Sequence, residues 1–154
     1  MKTIKKIVTS SILMLFVSVS LFAQSNAKIL AVVNEAEWCP TCQHNGERAM
    51  KAFKENNKDG NFKFVMNNLT NDKTKAESGK ELASLELTDA VAPYKGTGMV
   101  YFFDAKTKTL ISKISIAKSD KELADAMLSA KKGISCCKPN DGKSCDKSKE
   151  HSCG

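Results

Sequence analysis

The chain has 154 residues, 24 Lys and Arg against 17 Asp and Glu, a formal net charge of +7 and six cysteines. Its basic residues are interleaved with acids and do not alternate with aromatics, which removes nucleic acid from the expected partners. The length allows one compact core and not two.

The N-terminus opens with the basic run Met1-Lys2-Thr3-Ile4-Lys5-Lys6, followed by a mostly apolar stretch from Ile12 to Phe22. No acid occurs before Glu35. Residues 1–23 therefore read as a secretory signal cleaved between Ala23 and Gln24, although Leu21 is large for the minus-three position. The competing reading is a retained membrane anchor, against which stand the short apolar run and its serines at 10, 11, 18 and 20. No cysteine stands near the cleavage point to carry a lipid. Cleavage removes Lys2, Lys5 and Lys6 and lowers the formal charge to +4, so much of the basic balance belongs to targeting. An exported protein, periplasmic or secreted, is the expectation.

The apolar run Lys28-Ile29-Leu30-Ala31-Val32-Val33 predicts a buried parallel strand, and residues 24–132 the folded domain. Trp38-Cys39-Pro40-Thr41-Cys42 follows, then a helical pattern from about Cys42 to Asn57 with Ala49, Met50 and Phe53 on one face. Two thiols separated by two residues where a strand passes into a helix make a reversibly oxidised pair. Half of a zinc site is the competing reading, but no second Cys or His pair follows within the domain. Asn56 to Gly60 stops the helix. Phe62, Phe64 and Met66 alternate as a second strand, and Asn67 to Lys75 reads as polar loop. Ala76 to Leu87 predicts a helix with Leu82, Ala83 and Leu85 inward, weakened by Gly79. Met99 to Phe103 is an aromatic-rich strand, Asp104 to Thr109 a turn, and Leu110, Ser112, Ile114 and Ile116 its return strand. Ser119-Asp120-Lys121-Glu122 is a capping box opening a last helix that buries Leu123, Ala124, Met127 and Leu128.

With its β-α-β-α-β-β-α order and Trp-Cys-x-x-Cys motif, the chain resembles the thioredoxin-like superfamily from residue 27 to about 132. The resemblance implies an α/β fold, a four-stranded mixed sheet flanked by helices, with the cysteine pair at the end of the first strand. It implies thiol-disulfide exchange with protein thiols and disulfides and with a redox partner, needing no dissociable cofactor, with Cys39 attacking and Cys42 resolving. The helix start supports the same roles: unpaired N–H groups and the positive helix end favour a thiolate at Cys39, whereas Cys42, one turn inside, is expected to be less exposed. Pro40 suits the first helical turn. Trp38 either shields the thiols or simply packs, and His44 either biases the local charge or is a surface helix residue.

Two positions depart from the family. Thioredoxins carry a buried acid six residues before the first cysteine, where this chain has Val33; Glu35 and Glu37 are close in sequence but read as solvated loop carboxylates. In Lys95-Gly96-Thr97-Gly98-Met99-Val100 the family's cis-proline place is taken by Gly98, so a trans loop is expected, a non-proline cis bond costing roughly 2.5 to 4 kcal/mol. Trp38, Thr97 and Gly98 are the candidate substrate-binding residues. Proline also hinders metal entry in the family, so the glycine leaves room for the alternative of a soft-metal-binding protein.

Residues 133–154 carry Cys136, Cys137, Cys145 and Cys153 and almost nothing to bury, and read as a flexible tail. Four cysteines allow three pairings, and a bond between adjacent Cys136 and Cys137 would be strained. Structural disulfides, soft-metal capture by these thiolates with His151, and relay of electrons to Cys39 and Cys42 all stay open.

Overall fold

The computed structural model describes residues 27–136. The expected signal at 1–23 and the tail residues Cys137, Cys145, His151 and Cys153 lie outside the described residues. Eight elements follow in chain order: β1 Ile29–Glu35, α1 Pro40–Glu55, β2 Phe62–Asn68, α2 Asp72–Ser84, α3 Thr88–Val91, β3 Met99–Asp104, β4 Leu110–Ser115 and α4 Asp120–Cys136. The strands form one sheet in the order β2-β1-β3-β4. β2 runs parallel to β1, β3 antiparallel to β1 and β4 antiparallel to β3. This mixed sheet with helices on both faces is the thioredoxin-like arrangement.

β1 is central and buried on both faces, as its continuous apolar run requires. Period-two alternation divides its side chains. Ile29, Ala31 and Val33 join Ala49, Ala52 and Phe53 of α1 and Leu123, Met127 and Ala130 of α4 in one core. Leu30 and Val32 join Leu82 of α2, Leu87 and Val91 in the other. Phe62 meets Phe102 edge-on, with ring centroids 5.7 Å apart.

Several local expectations are corrected. β2 continues to Asn68, and α2 starts at Asp72 because Asn71 and Thr74 form a reciprocal capping box. Both lie in the stretch expected to be polar loop. Ala83 is exposed, since α2 turns only Leu82 fully inward, and its C-cap Leu85 is half-buried. The turn after α2 places Glu86 at φ 57° and is followed by the additional short α3. Leu128 is exposed although its neighbour Met127 is buried. α4 runs through residue 133 to Cys136, past the expected boundary at Lys132, and a Cβ at Gly133 would lie 2.8 Å from Ile111 Cγ2. Ile111 is the extra residue of an irregularity in the β3–β4 register. The capping box at Ser119 is present: Ser119 N–H donates to Glu122 Oε2 at 2.9 Å, and Ser119 Oγ accepts from Glu122 N–H at 3.3 Å.

Candidate redox site

The site lies where β1 ends, and two features of the fold bring its parts together. The chain leaves β1 at Glu35, turns through Ala36, Glu37 and Trp38, and enters α1, with Cys39 N–H donating to Ala36 O at 3.1 Å. Because β3 is antiparallel to β1, its first residue Met99 pairs with Asn34, so residues 94–98 arrive beside the same strand end.

Cys39 is the N-cap of α1, with Pro40 in the first turn. Its backbone is extended, at φ −87° and ψ 110°, which aims its Sγ back over the open end of the helix. That sulfur accepts the N–H of Cys42 at 3.2 Å. Cys39 and Cys42 form a disulfide, their Cα atoms 5.3 Å apart.

The exposures reverse the expected order. Cys39 is 3% exposed, whereas Cys42 is only partly buried. Covering comes from the 94–98 loop: a Cβ on Gly98 would stand 3.6 Å from Cys39 Sγ and 2.9 Å from Thr41 Cγ2. Cys42 instead borders a small cavity of about 50 Å³ between α1 and the sheet, shared with Val33, Glu35, Met50 and Met66. Glu35 is therefore not a loop residue but the last residue of β1, half-buried.

Gly98 faces the dithiol with a trans backbone, since no cis peptide occurs among the described residues. Its φ of 70° lies in the region that favours glycine. Its N–H donates to Asn34 O at 2.8 Å, and its carbonyl accepts from Ile116 N–H at 3.0 Å. Asn34, wholly buried, supports the loop from below, donating through Nδ2 to Tyr94 O at 2.7 Å while its Oδ1 accepts from buried Asn67 at 2.8 Å. Burial pushes the Tyr101 hydroxyl's pKa up, against a backbone hydrogen bond from Gly96. Thr97 is half-buried in this loop. No sequence signal beyond an asparagine at the end of an apolar run marked Asn34 as the loop's support.

Trp38 does not pack into the core. It is 60% exposed, and its indole N–H donates to Thr70 O at 3.2 Å, while Glu37 N–H donates to Thr70 Oγ1 at 3.0 Å. The ring borders an apolar groove of about 550 Å³ whose walls include Leu69, Leu82, Val91 and Tyr94, with Lys75 and Lys95 also lining it. His44 is an exposed helix residue, its Nδ1 2.7 Å from Pro40 O. Arg48 fixes α1 to the start of α4: it pairs with Asp120 and donates to Ile116 O at 2.7 Å and Lys118 O at 2.8 Å.

Among the described residues no three His, Cys, Asp or Glu side chains converge as a metal-ligand set, and no helix is long and apolar enough to cross a membrane. Of the proposed tail ligands only Cys136 falls within the described chain, in the last turn of α4.

No family model matches the sequence, and no curated protein matches it. Among solved structures the chain is similar to Trxlp from Edwardsiella tarda EIB202, at 17% identity over 68% of this chain and 85% of that one, with a TM-score of 0.44. It is also similar to thioredoxin f2 of Chlamydomonas reinhardtii, at 20% identity over 68% of this chain and 82% of that one, with a TM-score of 0.42. The strand order, the two helical layers and the Cys39–Cys42 disulfide at the first helix start make the chain a thioredoxin-like fold with a disulfide-bonded Cys-x-x-Cys pair.

Proposed function

We propose that the protein is an exported thiol-disulfide oxidoreductase in which Cys39 is the attacking thiol and Cys42 resolves. The observation that carries this reading is the place of Cys39 Sγ at the N-cap of α1, accepting the N–H of Cys42. In the reduced protein that donor and the positive helix end favour a thiolate on Cys39. The thiolate attacks one sulfur of a substrate disulfide, whose bond breaks as a Cys39-substrate mixed disulfide forms, and the first substrate thiolate leaves and takes a proton. Cys42 then loses its proton and attacks Cys39 Sγ, releasing the second substrate thiolate. The substrate gains two electrons and two protons overall, and the dithiol becomes the observed disulfide. The reverse sequence oxidises a substrate dithiol.

Substrates are protein segments whose apolar side chains settle in the groove beside Trp38 while the 96–98 backbone flanks the sulfur under attack. A separate redox partner returns the dithiol to its working state. The second reading, a soft-metal-binding protein using the Cys39/Cys42 dithiol, the tail or both, rests on the soft thiolate donors of these cysteines and of the four in the tail, with the His151 imidazole as a further ligand.

The test is the Cys42→Ser chain incubated with disulfide-bearing proteins. It should accumulate mixed disulfides whose mass-mapped linkage is at Cys39, and the Cys39→Ser chain should not. Linkage only through the tail cysteines would overturn the assignment. Metal retained by the purified chain and lost together with the tail would favour the second reading.

A further inference from the structure

The apolar groove beside Trp38 carries one buried polar side chain on its floor. Asn34 and Asn67 stand opposite each other near the ends of the parallel strands β1 and β2. Alternation puts both on the α2 side of the sheet, in series with Val32 and Val65. Asn34 Nδ2 donates to Tyr94 O at 2.7 Å, so its Oδ1 faces Asn67 as an acceptor, and the Asn67 atom bonded to it at 2.8 Å is the Nδ2 donor. Asn67 Oδ1 is thereby turned away from Asn34, and it has no hydrogen-bond partner among the described residues. Asn67 is 6% exposed and borders the groove. An acceptor otherwise sealed in the sheet opens on that space.

Gly79 of α2 borders the same space. A glycine weakens a helix relative to alanine, and no packing contact demands one here, because an added Cβ would meet nothing within 4 Å. The missing side chain leaves depth in the groove, whose volume of about 550 Å³ is that of a ligand site. Its charge is one-sided: Lys75 and Lys95 line it, and no carboxylate does. Asp72 pairs with Lys75 at 3.3 Å from a fully exposed position, a contact of little strength in water. Lys95 has no ion pair among the described residues. A bare apolar side chain would suit the walls but leave Asn67 Oδ1 unpaired and desolvated. Tyrosine brings an aromatic body for Trp38 and Tyr94 together with an O–H at its tip.

We propose that the groove selects substrate segments carrying a tyrosine next to an acidic residue. The ring packs against the walls that include Trp38 and Tyr94, its O–H donates to Asn67 Oδ1, and the neighbouring carboxylate is set against Lys75 and Lys95. The proposal deepens the oxidoreductase reading and rests on it, adding recognition and no chemical step. Trp38 adjoins Cys39 in sequence, and Lys95 belongs to the 94–98 loop whose Gly98 covers that sulfur. A segment held in the groove therefore presents its own disulfide beside the dithiol.

The experiment is reduction of cystine peptides by the full reduced chain, quenched in acid and followed by mass. The peptides carry Tyr-Glu, Phe-Glu, Tyr-Gln or Phe-Gln, placed in turn one to four residues from the half-cystine on either side. At the best placement Tyr-Glu should react with a second-order rate about 3–10-fold above Phe-Glu, the range of one hydrogen bond. It should also exceed Tyr-Gln by at least ~2-fold, an advantage that fades in 1 M salt. Gly79→Leu, which fills the groove and suits the helix better, should bring the Tyr-to-Phe ratio to about one while melting no lower than wild type by circular dichroism. Lys75→Gln combined with Lys95→Gln should abolish the Glu preference and keep the Tyr preference. A general fold defect would instead slow all four peptides alike and leave both ratios in place. Phe-Glu within about 1.5-fold of Tyr-Glu at every placement overturns the proposal, since a site built to bond a hydroxyl rejects the analogue lacking it, and leaves the oxidoreductase reading intact. Slowing of exchange by free 3-(4-hydroxyphenyl)propionate, but not by a cysteine-free Tyr-Glu peptide, would assign the groove to a small acid and overturn it too. If no cystine peptide is reduced and no mixed disulfide forms, the oxidoreductase reading fails and this one with it.

Discussion

Replacing Gly98 by alanine tests the geometry that joins the 94–98 loop to the dithiol. Gly98 is buried at φ 70°, where an L-residue costs roughly 1–2 kcal/mol. The new Cβ would come within 2.9 Å of Thr41 Cγ2 and 3.0 Å of Thr41 Cβ. Neither atom is the far end of a flexible chain, so relief must move α1 or the loop, and overpacking of this kind costs about 1–3 kcal/mol. Together the two effects predict a loss of about 2–5 kcal/mol in urea unfolding followed by circular dichroism on the oxidised chain. Removing Thr41 Cγ2 relieves part of the clash: Thr41→Ala combined with Gly98→Ala should recover about 0.5–2 kcal/mol, as contacting residues couple, and leave in place the φ penalty and the 3.0 Å approach to the Cβ of residue 41. Gly98→Pro should be worse, because proline needs a negative φ and removes the N–H that Gly98 gives to Asn34 O; it will lower stability as well as activity. A Gly98→Ala chain within 0.5 kcal/mol of wild type would refute both the left-handed backbone and the close approach to Thr41.

Asn34→Ala should cost about 2–4 kcal/mol in the same unfolding assay, since it leaves half-buried Tyr94 O and buried Asn67 without the partners they have at 2.7 and 2.8 Å and each unsatisfied group costs about 1–3 kcal/mol; a loss below 0.5 kcal/mol would contradict the loop's dependence on it. Glu122 is held down at about 2, first by the Lys118 ammonium and then by Ser119; Asp59 is also at about 2, first through Lys131 and then Asn61. Both pKa values are lower than in the unfolded chain, so the stability they add is present above pH 4.5 and is lost as pH falls toward 2. Glu122→Gln should flatten that acid limb in urea midpoints measured at successive pH values, and an unchanged slope would count against the cap's electrostatics. Trp38→Ala should leave thermal stability nearly unchanged, because the side chain is 60% exposed, yet slow exchange with an apolar cystine peptide several-fold more than with hydroxyethyl disulfide; equal slowing would dissociate the groove from substrate binding.

The fold was legible because each strand carried its own period. β1 reads as unbroken apolar residues, Phe62 to Met66 and Leu110 to Ile116 as alternation, and Ser119 with Glu122 as a helix start. What escaped were features decided by partners distant in sequence. Asn71 and Thr74 look like loop residues until their mutual capping is seen. Glu35 looks like a loop acid until the pairing Glu35↔Asn68 extends the strand to it. The burial of Cys39 could not be read from its own neighbours at all, because the covering residue, Gly98, arrives through the antiparallel pairing of Met99 with Asn34. The helix-start argument survives that correction, while the argument from exposure does not.

The chain contains a single tryptophan, and it is the residue next to Cys39. Its indole is anchored to Thr70 O yet largely open to water, so all tryptophan emission comes from one residue, adjacent in sequence to the Cys39–Cys42 disulfide. A disulfide is an electron acceptor that quenches a neighbouring excited indole, and a dithiol is a poorer one. Reduction of the Cys39–Cys42 bond will therefore brighten the protein without any added dye. The sequence has placed an optical gauge beside its own disulfide, by which the potential of the Cys39–Cys42 pair can be titrated in the unmodified chain.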